Sequence, residues 1–398
     1  MNVDPSAPPV STAPCSGVST APHGTVLLGP AGSLAHSRHE QVCHAAMARQ
    51  LASLLGMRFG GVHRVQADLA PPPCYFLPAE VLVGEQAAAA GIASEHDLFG
   101  GVVPHAFVAT KAITHPLVEP TAQAPRGWSH AFGRAVGAMT LDGYTAFCRE
   151  DVLRAGARLL PAGSVRIKLP DANAGRDQYT VGNPSDLAGL VARLDPARIT
   201  ACGVLVEQNL TDLVTWSIGQ VRVGRLTLAY YGTQQLTPDN DGTLVYGGTR
   251  LHGWRGDLHD LANRDDLPEP VRLAVRQAQA YDAAVTHCYP AMFASRRNYD
   301  VASGRDAHGR RRTGVLEQSW RVGGASSAEL AAMLALQREP ARQWVRASSL
   351  ERYGADAKVP MAATVLFRGD DPRAGPIIKC AWVESAHADL GTPAEAIQ

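Results

Sequence analysis

The sequence is short of most features that mark a membrane, secreted or nucleic-acid-binding chain. No apolar run reaches about 18 residues, the length at which a stretch becomes a candidate membrane helix. The opening MNVDPSAPPVSTAP has neither a basic segment nor an apolar one behind it, so it does not read as a secretion signal. Charge of either sign is not in excess: Lys and Arg together number 37, and so do Asp and Glu. That balance gives no electrostatic footprint for nucleic acid or for an anionic membrane surface. The seven cysteines stand singly, with no CxxC pair. They read as reduced thiols, mostly buried, in a cytoplasmic protein. GxxxxGK[ST], HExxH and GxSxG are all missing, which argues against P-loop, zincin and serine-hydrolase chemistry. No internal repeat is visible.

What is present suits an α/β enzyme of two or three lobes. A chain of 398 residues with 45% hydrophobic content has ample material for a core. Residues 1–22, rich in Pro, Ser, Thr and Ala, read as a disordered tail. Residues 23–125 form an N-terminal α/β lobe, opening with the strand Thr25–Leu28, a glycine turn over 29–33 and a helix to about Leu55. Residues 126–345 form the central region, and 346–398 a C-terminal extension with two strands, Ala363–Phe367 and Pro376–Trp382. Within the central region 131–158 reads as helical pieces, and Ser164–Leu169 as a strand whose Val165 and Ile167 alternate with Arg166 and Lys168. A helix over 186–194 follows, then a strand over 203–206 that ends at Glu207. Thr215–Val223 and Arg225–Tyr231 read as a hairpin turning at Gly224, and Pro270–His287 as an amphipathic helix. Tyr246-Gly247-Gly248-Thr249-Arg250-Leu251 reads either as a loop or as a wall of a phosphate or substrate cavity. His115, beside Pro116, reads as a hydrogen-bonded loop histidine.

One stretch, residues 294–328, organises the rest. Tyr299-Asp300-Val301 and Gly314-Val315-Leu316-Glu317 read as paired strands joined by a polar connection around Gly309. Asp300 and Glu317 would then project together as hard oxygen ligands, followed by Ser319, Arg321 and a Gly-Gly turn. Magnesium held with nucleotide phosphates calls for such a set. A plainer reading pairs these acids with Arg296, Arg297 or the arginines at 310–312. Ser326-Ser327-Ala328-Glu329 reads as a capping box opening the helix Leu330–Leu336. Upstream, Lys168 ends a strand before a loop of turn-forming residues containing Gly175, where a lysine can set a point charge on phosphate.

Lys168, the loop, Val206-Glu207-Gln208-Asn209-Leu210, then Asp300 and Glu317-Gln318-Ser319-Trp320-Arg321 together resemble the ATP-grasp superfamily. The likeness spans about residues 25–340 and points to an uncharacterised bacterial branch sometimes labelled biotin-carboxylase-like. The family pattern there is Glu-x-Asn-x-Arg, so Ser319 departs from it. The resemblance implies nucleotide held between two sheet-containing lobes. Asp300, Glu317 and Ser319 would be metal ligands, and Arg321 and Lys168 would act on the transferred phosphoryl group. Glu207, Gln208, Asn209 and Leu210 would form the adenine hinge. It implies ATP and Mg2+ as cofactors, a small-molecule carboxylate and a nucleophile as substrates, and ligation through an acyl phosphate. An ATP-grasp phosphotransferase and a non-catalytic nucleotide-binding or interaction protein stay open, as does self-association of the chain.

Overall fold

The computed structural model describes residues 24–29, 37–63, 73–171, 178–355 and 358–384. The expected tail over 1–22, most of the glycine turn after Leu28, and the loop around Gly175 lie outside them. The N-terminal part runs β1 (Thr25–Leu28), α1 (Arg38–Leu55), β2 (Arg58–Val62), β3 (Cys74–Leu77), β4 (Leu82–Val83), α2 (Gly84–Ala89) and β5 (Gly101–Val103). Strand β1 pairs in parallel with β2 and β3. Ser37 opens α1 by donating its backbone N–H and its hydroxyl to Glu40, and Gly56 closes the helix at φ 65°.

The chain then crosses two short 3-10 turns, Ala106–Ala109 and Lys111–Thr114, before α3 (His130–Val136). A four-stranded sheet follows, built from β6 (Gly143–Ala146), β7 (Val165–Lys168), β8 (Gln178–Val181) and, further along, β9 (Val204–Gln208), in the order β6-β9-β7-β8. It packs on α4 (Arg149–Leu159), α5 (Pro184–Arg193) and α6 (Pro196–Cys202) through Val152, Leu187, Ile199 and Val206, all buried. The stretch 131–158 therefore holds a strand, β6, between its two helices. Four residues are too few to show a period against flanking helical ones.

The large sheet comprises β10 (Thr211–Val223), β11 (Leu226–Pro238), β12 (Leu244–Arg255), β14 (Arg296–Arg305), β15 (Arg311–Ser319), β16 (Trp344–Tyr353), β17 (Thr364–Asp371) and β18 (Gly375–Val383). Its order is β15-β14-β10-β11-β12-β16-β18-β17. Between these strands come α7 (Leu258–Ala262), α8 (Glu269–Cys288), β13 (Phe293–Ala294) and α9 (Ser326–Arg338). The C-terminal residues thus continue the main sheet through β16 to β18. Residues 246–251 are not a loop: they lie within β12, where Gly248 at φ 143° lets the backbone approach Ser349.

Both faces of the large sheet are covered. Ile218, Ala229, Tyr299 and Val301 meet α7 and α8 on one side. Val221, Val223, Leu228 and Leu251 meet α1 and α9 on the other. Alternation along each strand produces this division. It also places Ser217, Asp300, Glu317 and Gln234 on the α9 side, where the covering core gives way to a polar surface.

Candidate functional site

Asp300 and Glu317 face each other in register across β14 and β15, next to a bulge between Asp300 and Val301. Directly opposed residues on a ladder share one face, so both carboxylates project together. Asn298 and Ser319, the neighbouring register pair, share that face. The Gln234 amide donates to both oxygens of Asp300, at 3.1 and 3.2 Å. Crowding by protein atoms, then the charge of Glu317, push the Asp300 carboxyl up to about 7, against the Gln234 bond and Lys111. A carboxyl that is crowded by protein atoms and also faces a second carboxylate has an electrostatic demand for a cation.

The Arg296 charge reaches Asp300 and lowers its carboxyl slightly, but the arginine ion pairs near this hairpin are made with other acids. Arg296 pairs with Glu329 and Arg297 with Asp282, while Arg310 pairs with Asp306 and Arg312 with Asp142. The cation on Glu317 is Lys111, whose Nζ lies 2.6 Å from Oε2. Lys111 comes from the 3-10 turn before α3, about two hundred positions earlier in the chain, and no local pattern announces the contact.

The Lys168 end is equally specific. Its Nζ lies 2.5 Å from Glu207 Oε1, and His115 Nε2 lies 3.0 Å from Glu207 Oε2. Alternation along β7 points Lys168 away from Val165 and Ile167, yet only 4% of it is exposed, because β7 is an interior strand and Glu207 stands diagonally across on β9. Burial opposes ionisation of Glu207, but the charge of Lys168 and the bond from His115 overcome it and hold the carboxyl down to about 2. Gly143 leaves the space for His115: a Cβ there would come within 2.7 Å of the imidazole.

The residues expected to form the hinge are firmly tied. The Gln208 N–H donates to the Asp142 carbonyl and the Asn209 N–H to the Ser164 carbonyl, at 2.8 and 3.1 Å. The Asn209 side chain accepts from Arg166. Strand β9 lies between β6 and β7, so the backbone of Glu207 has a ladder on both sides. The carboxylate of Glu207 already has two partners, and a purine amino group would have to share it with them. Leu210 is buried beside Gly304.

Arg321 follows β15 and lies 3.4 Å from Glu80 of the N-terminal part, through Nε. Its backbone is fixed from below. Arg296 donates to the carbonyls of Ser319 and Arg321, at 3.2 and 2.6 Å, while its other nitrogens hold Glu329. Tyr230 also donates to Glu329, and Asn298 links Tyr230 to Ser217. Glu329 is thus engaged in the interior and does not close a capping box. Ser326 Oγ accepts from the Gly323 N–H, and the residue preceding α9 is Ala325.

The donor set fits a magnesium ion that arrives with phosphate oxygens. Two carboxylates and the Ser319 hydroxyl share one face, and among the described residues no group of three His, Cys, Asp or Glu side chains could hold a metal by itself. Magnesium in nucleotide sites needs one or two carboxylates, the phosphates and water supplying the rest.

An antiparallel sheet bearing the Lys168–Glu207 pair is joined to a larger one bearing the Asp300–Glu317 pair, the arrangement expected from the resemblance to ATP-grasp proteins. Solved structures similar to the chain include phosphoribosylamine–glycine ligase from Thermotoga maritima, 13% identical, covering 91% of this chain and 92% of that one, with a TM-score of 0.48. N5-carboxyaminoimidazole synthetase from Staphylococcus aureus, solved with ADP, is 9% identical over 91% and 93%, with a TM-score of 0.45. The biotin carboxylase domain of 2-oxoglutarate carboxylase from Hydrogenobacter thermophilus, solved as a dimer with MgADP, is 12% identical over 90% and 86%, with a TM-score of 0.46. No curated protein matches the sequence. Among the described residues, no helix is long and apolar enough to cross a membrane. One family profile matches residues 28–381, and the chain accordingly belongs to the family described as "Protein of unknown function (DUF3182)".

Proposed function

We propose that the chain is an ATP-dependent ligase of the ATP-grasp type, which activates a small-molecule carboxylate for attack by an amine or similar nucleophile. The observation that carries this reading is the in-register Asp300–Glu317 pair, linked through the single segment 111–115 to the Lys168–Glu207 pair. In the proposed division of the chain, residues 126–345 hold most of this machinery and 23–125 contribute Glu80, Lys111 and His115.

In the proposed reaction a carboxylate oxygen attacks the γ-phosphorus of ATP and the bond to the β-phosphate oxygen breaks. ADP leaves with that electron pair, and an acyl phosphate forms. The nucleophile then attacks the acyl carbon, inorganic phosphate departs with the C–O pair, and the amine proton passes to solvent. Asp300 and Glu317, with Ser319, would hold magnesium, which when bound neutralises charge on the phosphoryl oxygens. Lys168 would set its ammonium against the phosphates, kept in place by Glu207 until they arrive. Arg321 would meet the transferred group, its backbone held by Arg296.

Hydroxylamine tests this reading without knowledge of the natural nucleophile, because it intercepts an acyl phosphate as a hydroxamate. With a panel of carboxylic acids, ATP and magnesium, the parent protein is expected to yield hydroxamate, and Glu317→Gln to yield none. A stable phosphorylated product without hydroxamate would replace the ligase by a phosphotransferase. ATP binding with neither product would favour a non-catalytic protein, a reading supported by Ser319 and by the lysine already seated on Glu317.

A further inference from the structure

The chain contains only four lysines, Lys111, Lys168, Lys358 and Lys379. Lys379 pairs with Glu351 inside the C-terminal strands, and Lys358 is exposed. Lys168 belongs to the site by the resemblance already set out; nothing in that resemblance assigns Lys111. Yet the turn that carries Lys111 is held in place on both sides of it. Strand β15 is an edge strand, and the segment 108–114 runs along it. Gln318, the residue between Glu317 and Ser319, donates through Nε2 to the carbonyls of Thr110 and Val108, at 2.6 and 3.1 Å. Tyr281 donates to the oxygen of the same amide at 3.1 Å. On the other side of Lys111, Thr114 Oγ1 donates to the Leu316 carbonyl at 3.3 Å. The turn is therefore pinned to β15 both before and after Lys111, and the ammonium is delivered to Glu317 with only 10% of the side chain exposed.

An ion pair made only to close a sheet edge would not need to choose the carboxylate that faces Asp300. The Lys111 ammonium partly answers the repulsion between the two acids, and a divalent cation answers it more fully. Both cannot share Glu317 Oε2 at contact distance, since like charges that close repel strongly. We propose that Lys111 is a resident counter-ion of the acid pair, which magnesium displaces from Glu317 on entry, so that cation binding and the movement of one lysine are coupled. This rests on the nucleotide reading above and adds a residue that tunes how readily the acids accept the metal.

The four lysines make the test clean. The full chain, labelled with 13C and 15N in lysine, is titrated with magnesium and a non-hydrolysable ATP analogue, its side-chain signals assigned by Lys→Arg replacements made singly. The Lys111 and Lys168 signals are expected to shift together while Lys379 stays in place. A Lys168 shift with Lys111 unmoved would overturn the displacement and leave the nucleotide reading standing. If neither moves, the nucleotide reading fails and this inference fails with it. A second readout uses Mn2+ alone, followed by water proton relaxation. Lys111→Met should bind Mn2+ at least threefold more tightly than the parent, because Glu317 is then free of its competitor. Equal or weaker binding, accompanied by a lower melting temperature, would make Lys111 a purely structural pin.

Discussion

Glu207 is the residue on which acid stability should turn. Its carboxyl is held down to about 2 from its ordinary 4.5, so the folded chain keeps it ionised where the unfolded chain would protonate it. A depressed carboxyl stabilises the fold fully above its unfolded value and loses that contribution as pH falls through the folded one. Stability should therefore decline between about pH 4.5 and 2 on this account. Glu207→Gln should flatten that part of the urea-unfolding profile; an unchanged acid limb would show that other groups govern it. Removing only the cation is a harsher change. Lys168→Met leaves a buried carboxylate with His115 alone, and losing one partner of a buried pair costs about 3–5 kcal/mol. Equilibrium unfolding at neutral pH measures this, and a change under about 1 kcal/mol would mean that water reaches Glu207 freely.

At the scale of elements, the join between β12 and β16 depends on one glycine. A Cβ on Gly248 would lie 2.2 Å from the Ser349 carbonyl oxygen, and the backbone there has φ 143°. Gly248→Ala should destabilise the fold by about 1–3 kcal/mol, through overpacking and backbone strain. Ser349 also donates to the Gly324 carbonyl, so the loop before α9 should lose amide protection in the same variant. Unaltered exchange at Gly324 and neighbouring residues would separate the two effects. The same region shows where sequence pattern reaches and where it stops. Alternation in 164–169 is enough to place Lys168 on a strand, and the polar connection around Gly309 between 299–301 and 314–317 is enough to place Asp300 and Glu317 on two more. Tyr246-Gly247-Gly248 shows no strand pattern, and so reads as a loop or a cavity wall, because glycine weakens that pattern, although here it serves a close approach between strands. Ser326 and Glu329 carried the spacing of a capping box, but the buried guanidinium of Arg296 outcompeted the helix terminus for Glu329. Lys111, His115 and Gln234 reach the site through tertiary contacts alone, and such contacts leave no local period to read.

In the molecule as a whole, the segment 108–117 lies between a helix-backed small sheet and a large sheet, and touches Glu317 on one side and Glu207 on the other. That architecture makes sense if a ligand bridges the two charged pairs, and ligand binding to the folded state raises stability by mass action. At a hundred times the dissociation constant the gain is about 2.7 kcal/mol. The most direct measurement is the unfolding midpoint of the full chain with ATP alone, with magnesium alone and with both. Both together should raise the midpoint well beyond either component, and Glu317→Gln should remove most of that synergy while its own fold stays intact. A midpoint that does not respond to millimolar ATP with magnesium, or one that rises equally in Glu317→Gln, would contradict the assignment of Asp300 and Glu317 to a magnesium–nucleotide site.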